Sequence, residues 1–408
     1  MPNQPVERAS VVLHTDSFNF RAVVQAACAQ INEQDSVNSI AIRFYLYGLQ
    51  EGMVPYLWVP CLRLLILELE YMKEIMAITN ARMKAIFEML MNSENGGIPG
   101  VLRIDSGKPG PILGVTACTH GNEPSGLAVF DYLLNTLDIY STLQRGTLYL
   151  VLNNIKATEK FFTAKTREEV SQARYTDVNM NRLPKNVLAL KNDRRYEIQR
   201  VQDLLSIWRQ FTVGLDIHST TVPTDPMFIS RGGKFNLIED LVRGFPIERL
   251  ISNIDDVMRT APTFSFYGSD KQDVPVFAIE AGQHTEPASS QRAIECAIAL
   301  LQNLKMIPGI STSVVGEYKE YCIEEVVTFP DDSFDFVSNF KTYDVIYEGQ
   351  VIARSIDGEE IVAPFDGHLI LPTSKRGKEK DISEEVAFVS RPMQIRKIST
   401  EQLRINKA

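Results

Sequence analysis

The sequence predicts an α/β fold with helices on both faces of its sheet, an N-terminal all-helical extension and a small C-terminal β-domain. Three observations lead there: helically spaced apolar residues near the N-terminus, a middle region alternating β-rich runs with helical stretches, and short strands with Asp-Gly punctuation after it.

The extension spans residues 1–95. Helices are expected near 18–33 and 36–49. After them Leu62, Leu65, Leu69, Met72, Met76, Met83, Ile86 and Leu90 recur at steps of three, four or seven, which describes one face of a long helix. A Leu and Met stripe of this kind is read first as core, packed on the body of the protein or on a dimer partner, and second as a docking face for another protein. Asn95-Gly96-Gly97 and Pro99-Gly100 end the helix and mark the first boundary.

Residues 96–312 form the α/β domain. Val101–Ile104, Ile112–Cys118, Leu148–Leu152, Val213–Ile217, Met227–Ile229 and Val276–Ile279 read as strands, separated by helical stretches at Gly126–Leu137, Arg195–Trp208 and Gln291–Leu304. Ligands of such sheets collect beyond the carboxyl ends of the strands, so polar residues there are the ones to weigh. Residues 313–408 are the β-domain, punctuated by Asp357-Gly358 and Asp366-Gly367. It superficially resembles a biotinyl or lipoyl carrier, but no carrier lysine stands at a hairpin tip, and a lid or dimerisation role is preferred.

Acidic residues outnumber basic ones 51 to 42, a formal net charge of −9, which disfavours nucleic acid and anionic membranes as partners. Five scattered cysteines without a C-x-x-C pair suit a reducing compartment, and a cytoplasmic location is expected. No secretory signal is read at the N-terminus. The most apolar window, Met53 to Leu69, is broken by Pro60, Arg63 and Glu68, short of the roughly 20 residues of a bilayer span.

The strand ending at Cys118 runs into Thr119-His120-Gly121-Asn122-Glu123. Alone, His-x-x-Glu fits equally well a first-turn acid favoured by the helix dipole. A second strand ends in Asp216-Ile217-His218, whose period of two puts Asp216 and His218 on one face, the carboxylate suited to hold the second nitrogen of a metal-bound imidazole. His120, Glu123 and His218 together make a His₂Glu set, the ligand combination of open catalytic zinc sites. A third strand delivers Glu280 before Ala281-Gly282, a natural general base whose plainer role is partner to an arginine. The loop Arg174-Tyr-Thr-Asp-Val-Asn-Met-Asn181-Arg182 carries guanidinium forks suited to carboxylates and oxyanions, though such a loop in isolation is more often mere surface.

The series His120-Gly-Asn-Glu123, Arg174-Tyr-x-Asp-x-x-x-Asn181-Arg182, Asp216-x-His218 and Glu280-x-Gly282 resembles the succinylglutamate desuccinylase and aspartoacylase family of zinc amidohydrolases, over roughly residues 98 to 400. The resemblance implies a zinc-carboxypeptidase-like mixed sheet, one Zn²⁺ per chain on His120, Glu123 and His218, Glu280 as the base, Arg174 polarising the scissile carbonyl, and Asn181 with Arg182 holding a substrate carboxylate. Two departures stand out. Asn154-Ile155-Lys156-Ala157 replaces the Asn-Pro-x-Ala of many members, and Asn179 stands where aspartoacylases have an acid. No role is derived for His284, His14 or His368.

The expected activity is hydrolysis of an N-acyl amino acid or similar small carboxylate-bearing amide, by a soluble enzyme free to form homo-oligomers. The alternatives are a carboxypeptidase-like peptidase, and a non-catalytic zinc-binding scaffold that uses its N-terminal helices for partner binding.

Overall fold

The computed structural model describes residues 80–95, 97–231, 235–268, 274–309, 317–373 and 385–397. The chain divides into two compact units, Met1–Asn80 and Ala81–Ala408. The first lies, apart from residue 80, outside the described residues, as do the helices expected near 18–33 and 36–49 and most of the Leu62–Leu90 stripe. The end of that stripe is described: helix α1 (80–91) buries Met83, Ile86, Phe87 and Leu90. The helix ends at residue 91, before the Asn95-Gly96-Gly97 cluster expected to end it. Strands β1 (Glu94–Asn95) and β2 (Ile98–Pro99) follow the helix and pair antiparallel, and Gly97 takes a φ of 77° open to glycine without strain.

The large sheet contains β3 (Val101–Asp105), β4 (Ile112–Ala117), β5 (Thr147–Leu152), β6 (Val213–Thr220), β7 (Met227–Ser230), β8 (Arg249–Ser252), β9 (Val276–Gln283) and β10 (Glu317–Val327), in the spatial order β10-β8-β7-β9-β6-β4-β5-β3. Strands β5, β4, β6 and β9 are parallel, whereas β3 and β7 join antiparallel, so the sheet is mixed. The central strands are covered on both faces, which is why they read as continuous apolar runs. Along β5 Leu148, Leu150 and Leu152 enter one core cluster and Tyr149 and Val151 the other, as a period of two requires.

Helices α2 (Ser125–Asp131), continued by a π-helical turn Tyr132–Thr136, and α7 (Pro287–Asn303) cover the first face with α1. Helix α5 (Tyr196–Trp208) covers the second, together with Phe211 and Tyr267. Strand β8, helix α3 (Ile155–Thr163), helix α4 (Arg167–Gln172) and helix α6 (Phe235–Val242) complete the layers and are too short or too weakly patterned to be read in advance. The uncertain turn at Asn154-Ile155 resolves as an N-cap. Asn154 accepts from the Ala157 amide at 3.1 Å and Ile155 takes the first helical position, where a proline would also be accommodated.

The C-terminal β-region is continuous with this sheet. The eleven-residue β10 lies parallel to β8 through its first half and pairs through its second half with β16 (Ala387–Ser390), beyond which follow β15 (Gly367–Ile370) and β12 (Asp344–Ile346). Strands β11 (Phe334–Phe336), β13 (Val351–Ser355) and β14 (Glu360–Val362) form a separate small sheet over an apolar cluster that includes Phe329, Ile352 and Val389. Among the described residues no helix is long and apolar enough to cross a membrane.

From β4 the chain passes to β5 on one side and later returns as β6 on the other. The loops after β4 and β6 therefore open on a topological switch point, where α/β sheets bind their ligands.

Candidate metal centre

Strand β4 ends at Ala117, and Cys118, with a φ of 58°, turns the chain into the His120 loop. Gly121 lets that loop close against its neighbours: a Cβ there would stand 2.2 Å from the Ala157 carbonyl carbon and 2.4 Å from Ala173 O. The Gly121 amide donates to Arg174 O at 3.0 Å, bringing the arginine loop onto the histidine loop.

His120, Glu123 and His218 are buried together, with one donor atom from each within 4.8 Å of the others. Glu123 lies between the imidazoles, Oε1 at 2.7 Å from His120 Nδ1 and Oε2 at 2.9 Å from His218 Nδ1. Both rings thus present Nδ1 inward. Their Nε2 atoms face side-chain oxygens, Asn179 Oδ1 at 3.0 Å from His120 and Asp216 Oδ2 at 3.1 Å from His218. Metal-ligating histidines are oriented in this way by acceptors behind them. Asn179, the departure noted in the sequence, therefore keeps an oxygen where an acid would have placed one.

The electrostatics suit a cation. Burial, then the charge of Arg174, lowers the His120 pKa to about 4, which keeps that ring neutral. Burial opposes charge on Glu123 too, but the two imidazoles outweigh it and hold the carboxyl well below the usual range. For His218 burial is likewise outweighed, by Asp216 and Glu123, and its pKa is raised. Two inward imidazole nitrogens and a carboxylate are a donor set that fits zinc.

Glu280 stands opposite His218 in the parallel register of β9 and β6, so both side chains leave one face of the sheet. Its Oε2 is buried and has no hydrogen-bond partner among the described residues. Burial, reinforced by the negative charges of Glu123 and Asp216, raises its pKa to about 7. Arg174 donates from Nη1 to Glu123 Oε1 at 2.8 Å with its side chain about one-third exposed, bordering the same cluster.

Asn181 and Arg182 have partners of their own. Asn181 Oδ1 accepts from the Thr263 amide at 3.0 Å, and Arg182 Nε is ion-paired with Glu385 Oε2 at 3.2 Å while its guanidinium lies 5.8 Å from the Phe388 ring centre. His284, without a role in the sequence, is fixed beside the centre: Nδ1 lies 2.9 Å from Ser219 Oγ and Nε2 3.3 Å from Thr221 Oγ1. Sequence reasoning also missed Glu197. Fully buried on α5, it accepts from the amides of Thr176 at 2.6 Å, Asp177 at 3.0 Å and Val178 at 3.1 Å, and from Asn154 Nδ2 at 3.1 Å, which clamps the arginine loop. Its only sequence signal is an acid near the start of an amphipathic helix, which is commonplace.

A mixed α/β sheet thus carries at its switch point a buried His-Glu-His cluster able to hold a metal ion. Residues 109–305 match the model of the succinylglutamate desuccinylase/aspartoacylase catalytic domain, and the chain matches that family in both sequence model and fold. A structure of the enzyme from Vibrio parahaemolyticus is 15% identical with a TM-score of 0.52, covering 72% of this chain and 89% of that one. The succinylglutamate desuccinylase from Chromobacterium violaceum is 14% identical with a TM-score of 0.52, covering 76% and 98%. That from Vibrio cholerae is 15% identical with a TM-score of 0.51, covering 72% and 89%. At these identities the likeness is one of fold. No curated protein matches the chain.

Proposed function

We propose that the protein is a zinc-dependent hydrolase that cleaves the amide bond of an N-acyl amino acid or a similar small amide bearing a carboxylate. The observation that carries this reading is a buried His120-Glu123-His218 set beside Glu280, whose Oε2 has no hydrogen-bond partner among the described residues. A structural zinc site fills its fourth position with protein and needs no base next to it.

His120, Glu123 and His218 would hold the zinc, which when bound would supply a Lewis acid able to polarise a carbonyl and acidify water. The chain's own residues do the rest. Glu280, poised near neutrality by burial, takes the proton of the attacking water at Oε2 and returns it to the nitrogen of the departing amine. Arg174 swings from Glu123 Oε1 toward the carbonyl oxygen and stabilises the charge that grows there, a contribution of about 3–4 kcal/mol for a well-placed donor. Asn181 and Arg182 receive the substrate carboxylate, in competition with Glu385.

Metal analysis combined with a panel of acylated amino acids tests the reading. One zinc per chain with turnover of some member of the panel supports it. A chain that takes up no zinc at micromolar levels, or a zinc-loaded one that cleaves peptides but no acyl amino acid, overturns it.

A further inference from the structure

Behind His218 lies a closed set of polar side chains that the proposed reaction does not touch. Thr116 and Asp216 are register partners on β4 and β6, and Thr116 Oγ1 lies 2.7 Å from Asp216 Oδ1. Thr119 Oγ1 lies 3.1 Å from the same oxygen. Tyr267 OH is 2.8 Å from Thr116 Oγ1, and Asn153 Nδ2 is 3.0 Å from Tyr267 OH and 2.8 Å from Thr119 Oγ1. Thr116, Thr119, Asn153, Asp216 and Tyr267 are all fully buried.

The proton count fixes every direction. A carboxylate has no proton to give, so both threonine hydroxyls donate to Asp216. Thr116 also approaches Leu215 O, but at 3.5 Å the neutral carbonyl loses to the charged acceptor at 2.7 Å. With the Thr116 proton committed, Tyr267 donates to Thr116. Asn153, facing two hydroxyls whose protons are both spent, donates one amide hydrogen to each. This orients the amide as placed and leaves Asn153 Oδ1 without a partner among the described residues. All donors thus converge on Asp216. Buried His218 Nε2, 3.1 Å from Asp216 Oδ2 and short of an aligned bond, is left as the remaining donor, so its proton belongs on Nε2 and Nδ1 is the nitrogen offered to a metal.

We infer that Tyr267 is a positioning residue of the metal centre, acting through Thr116 and Asp216 to fix the tautomer and orientation of His218. Its seat is built for the purpose. Gly214, two residues before Asp216 on the same face of β6, leaves space that a Cβ would take 2.9 Å from Tyr267 Cδ2, and Trp208 and Phe211 pack on the ring at centroid distances of 5.2 and 5.6 Å. Burial, then the charge of Asp216, raises the Tyr267 pKa well above its ordinary value, so the hydroxyl keeps the proton it donates.

The inference rests on the metal-centre reading above, and the experiment separates the two. Full-length protein stripped of metal is titrated with Zn²⁺ against a chromophoric chelator and, separately, with Co²⁺ while the visible absorption is recorded. Tyr267→Phe and Thr116→Val are expected to bind Zn²⁺ about 10- to 100-fold more weakly, with an altered Co²⁺ spectrum, and Thr116→Ser, which keeps the hydroxyl, to bind as wild type does. Wild-type affinity and spectrum in both Tyr267→Phe and Thr116→Val overturn the relay alone, as does a Thr116→Ser loss equal to that of Thr116→Val, which would show a packing role. Should Tyr267→Phe fail to fold, the Val and Ser pair at Thr116 still decides. Wild-type protein that binds neither ion overturns the metal centre and the relay with it.

Discussion

Arg182 is ion-paired through Nε with Glu385 Oε2 at 3.2 Å, so the guanidinium assigned to a substrate carboxylate already holds a carboxylate from its own chain. Glu385 also accepts from the Arg259 amide at 2.8 Å and the Thr260 amide at 3.2 Å, which places it in the architecture as well as beside Arg182. Glu385→Gln is expected to lower KM for carboxylate-bearing substrates by releasing Arg182, and to lower stability by about 1–3 kcal/mol through loss of charged acceptors. Arg182→Ala is expected to impair acylated amino acids about ten- to a hundredfold more than their carboxamides in kcat/KM. Equal losses on both substrate types would make Arg182 a tie between β-region and loop and nothing more.

Removal of one ligand leaves a buried, two-donor remnant. His218→Ala and Glu123→Ala are expected to lose most zinc and, with it, activity, as read by elemental analysis of dialysed protein. Glu123→Ala carries a second signature, because Arg174 and both imidazoles lose their common partner. Its metal-free form is expected to melt at a lower temperature than metal-free His218→Ala. Stoichiometric zinc in either variant would remove that residue from the ligand set.

Glu280, proposed as the base, is the position at which metal binding and hydrolysis are expected to part. Glu280→Gln is expected to keep zinc while hydrolysis falls roughly 10²–10⁴-fold, the usual loss for a general base. In wild type kcat/KM should fall tenfold per pH unit below the Glu280 pKa. That pKa is about 7 in the metal-free chain, and a neighbouring cation moves it lower. The linkage sign is opposite to that of an ordinary carboxylate. The folded pKa lies above the unfolded value of 4.5, so the native state loses stability as pH rises from about 4.5 to about 7. In metal-free protein the melting temperature of Glu280→Gln relative to wild type should therefore rise across that window and level above it. A pH-independent difference would contradict the raised pKa.

What the sequence disclosed of the site is what sits at strand ends. His120, Glu123, His218 and Glu280 each terminate or directly follow an apolar run, so local pattern located them and the parallel register of β4, β6 and β9 assembled them. Tyr267 meets Thr116 across 151 positions, and Glu385 meets Arg182 from the C-terminal region, so neither contact leaves a periodic trace. The same limit explains the expected boundary near residue 313. Helical periodicity fades there, yet β10 carries hydrogen bonds of the main sheet and of the β-region along one strand.

Glu197, outside the His120-Glu123-His218 cluster, holds the loop that carries Arg174. Three consecutive amides, from Thr176 to Val178, and Asn154 Nδ2 all point at its carboxylate, while Asp177 Oδ2 accepts from the Tyr196 amide at 2.7 Å. In Glu197→Gln the amide NH₂ group would face backbone donors and leave at least one of them unsatisfied, at a cost of roughly 2–3 kcal/mol. The loop between Arg174 and Arg182 would then lose its fixed path, while the His120-Glu123-His218 set keeps its own elements. Zinc content is expected to stay at the wild-type level, with a lower melting temperature and a kcat/KM reduced by about tenfold or more through loss of Arg174 placement. Glu197→Asp keeps the charge but withdraws it by one methylene, so it should fall between the two in both stability and turnover. Normal kcat/KM in a zinc-loaded, destabilised Glu197→Gln would show that Arg174 does not depend on this clamp for its position.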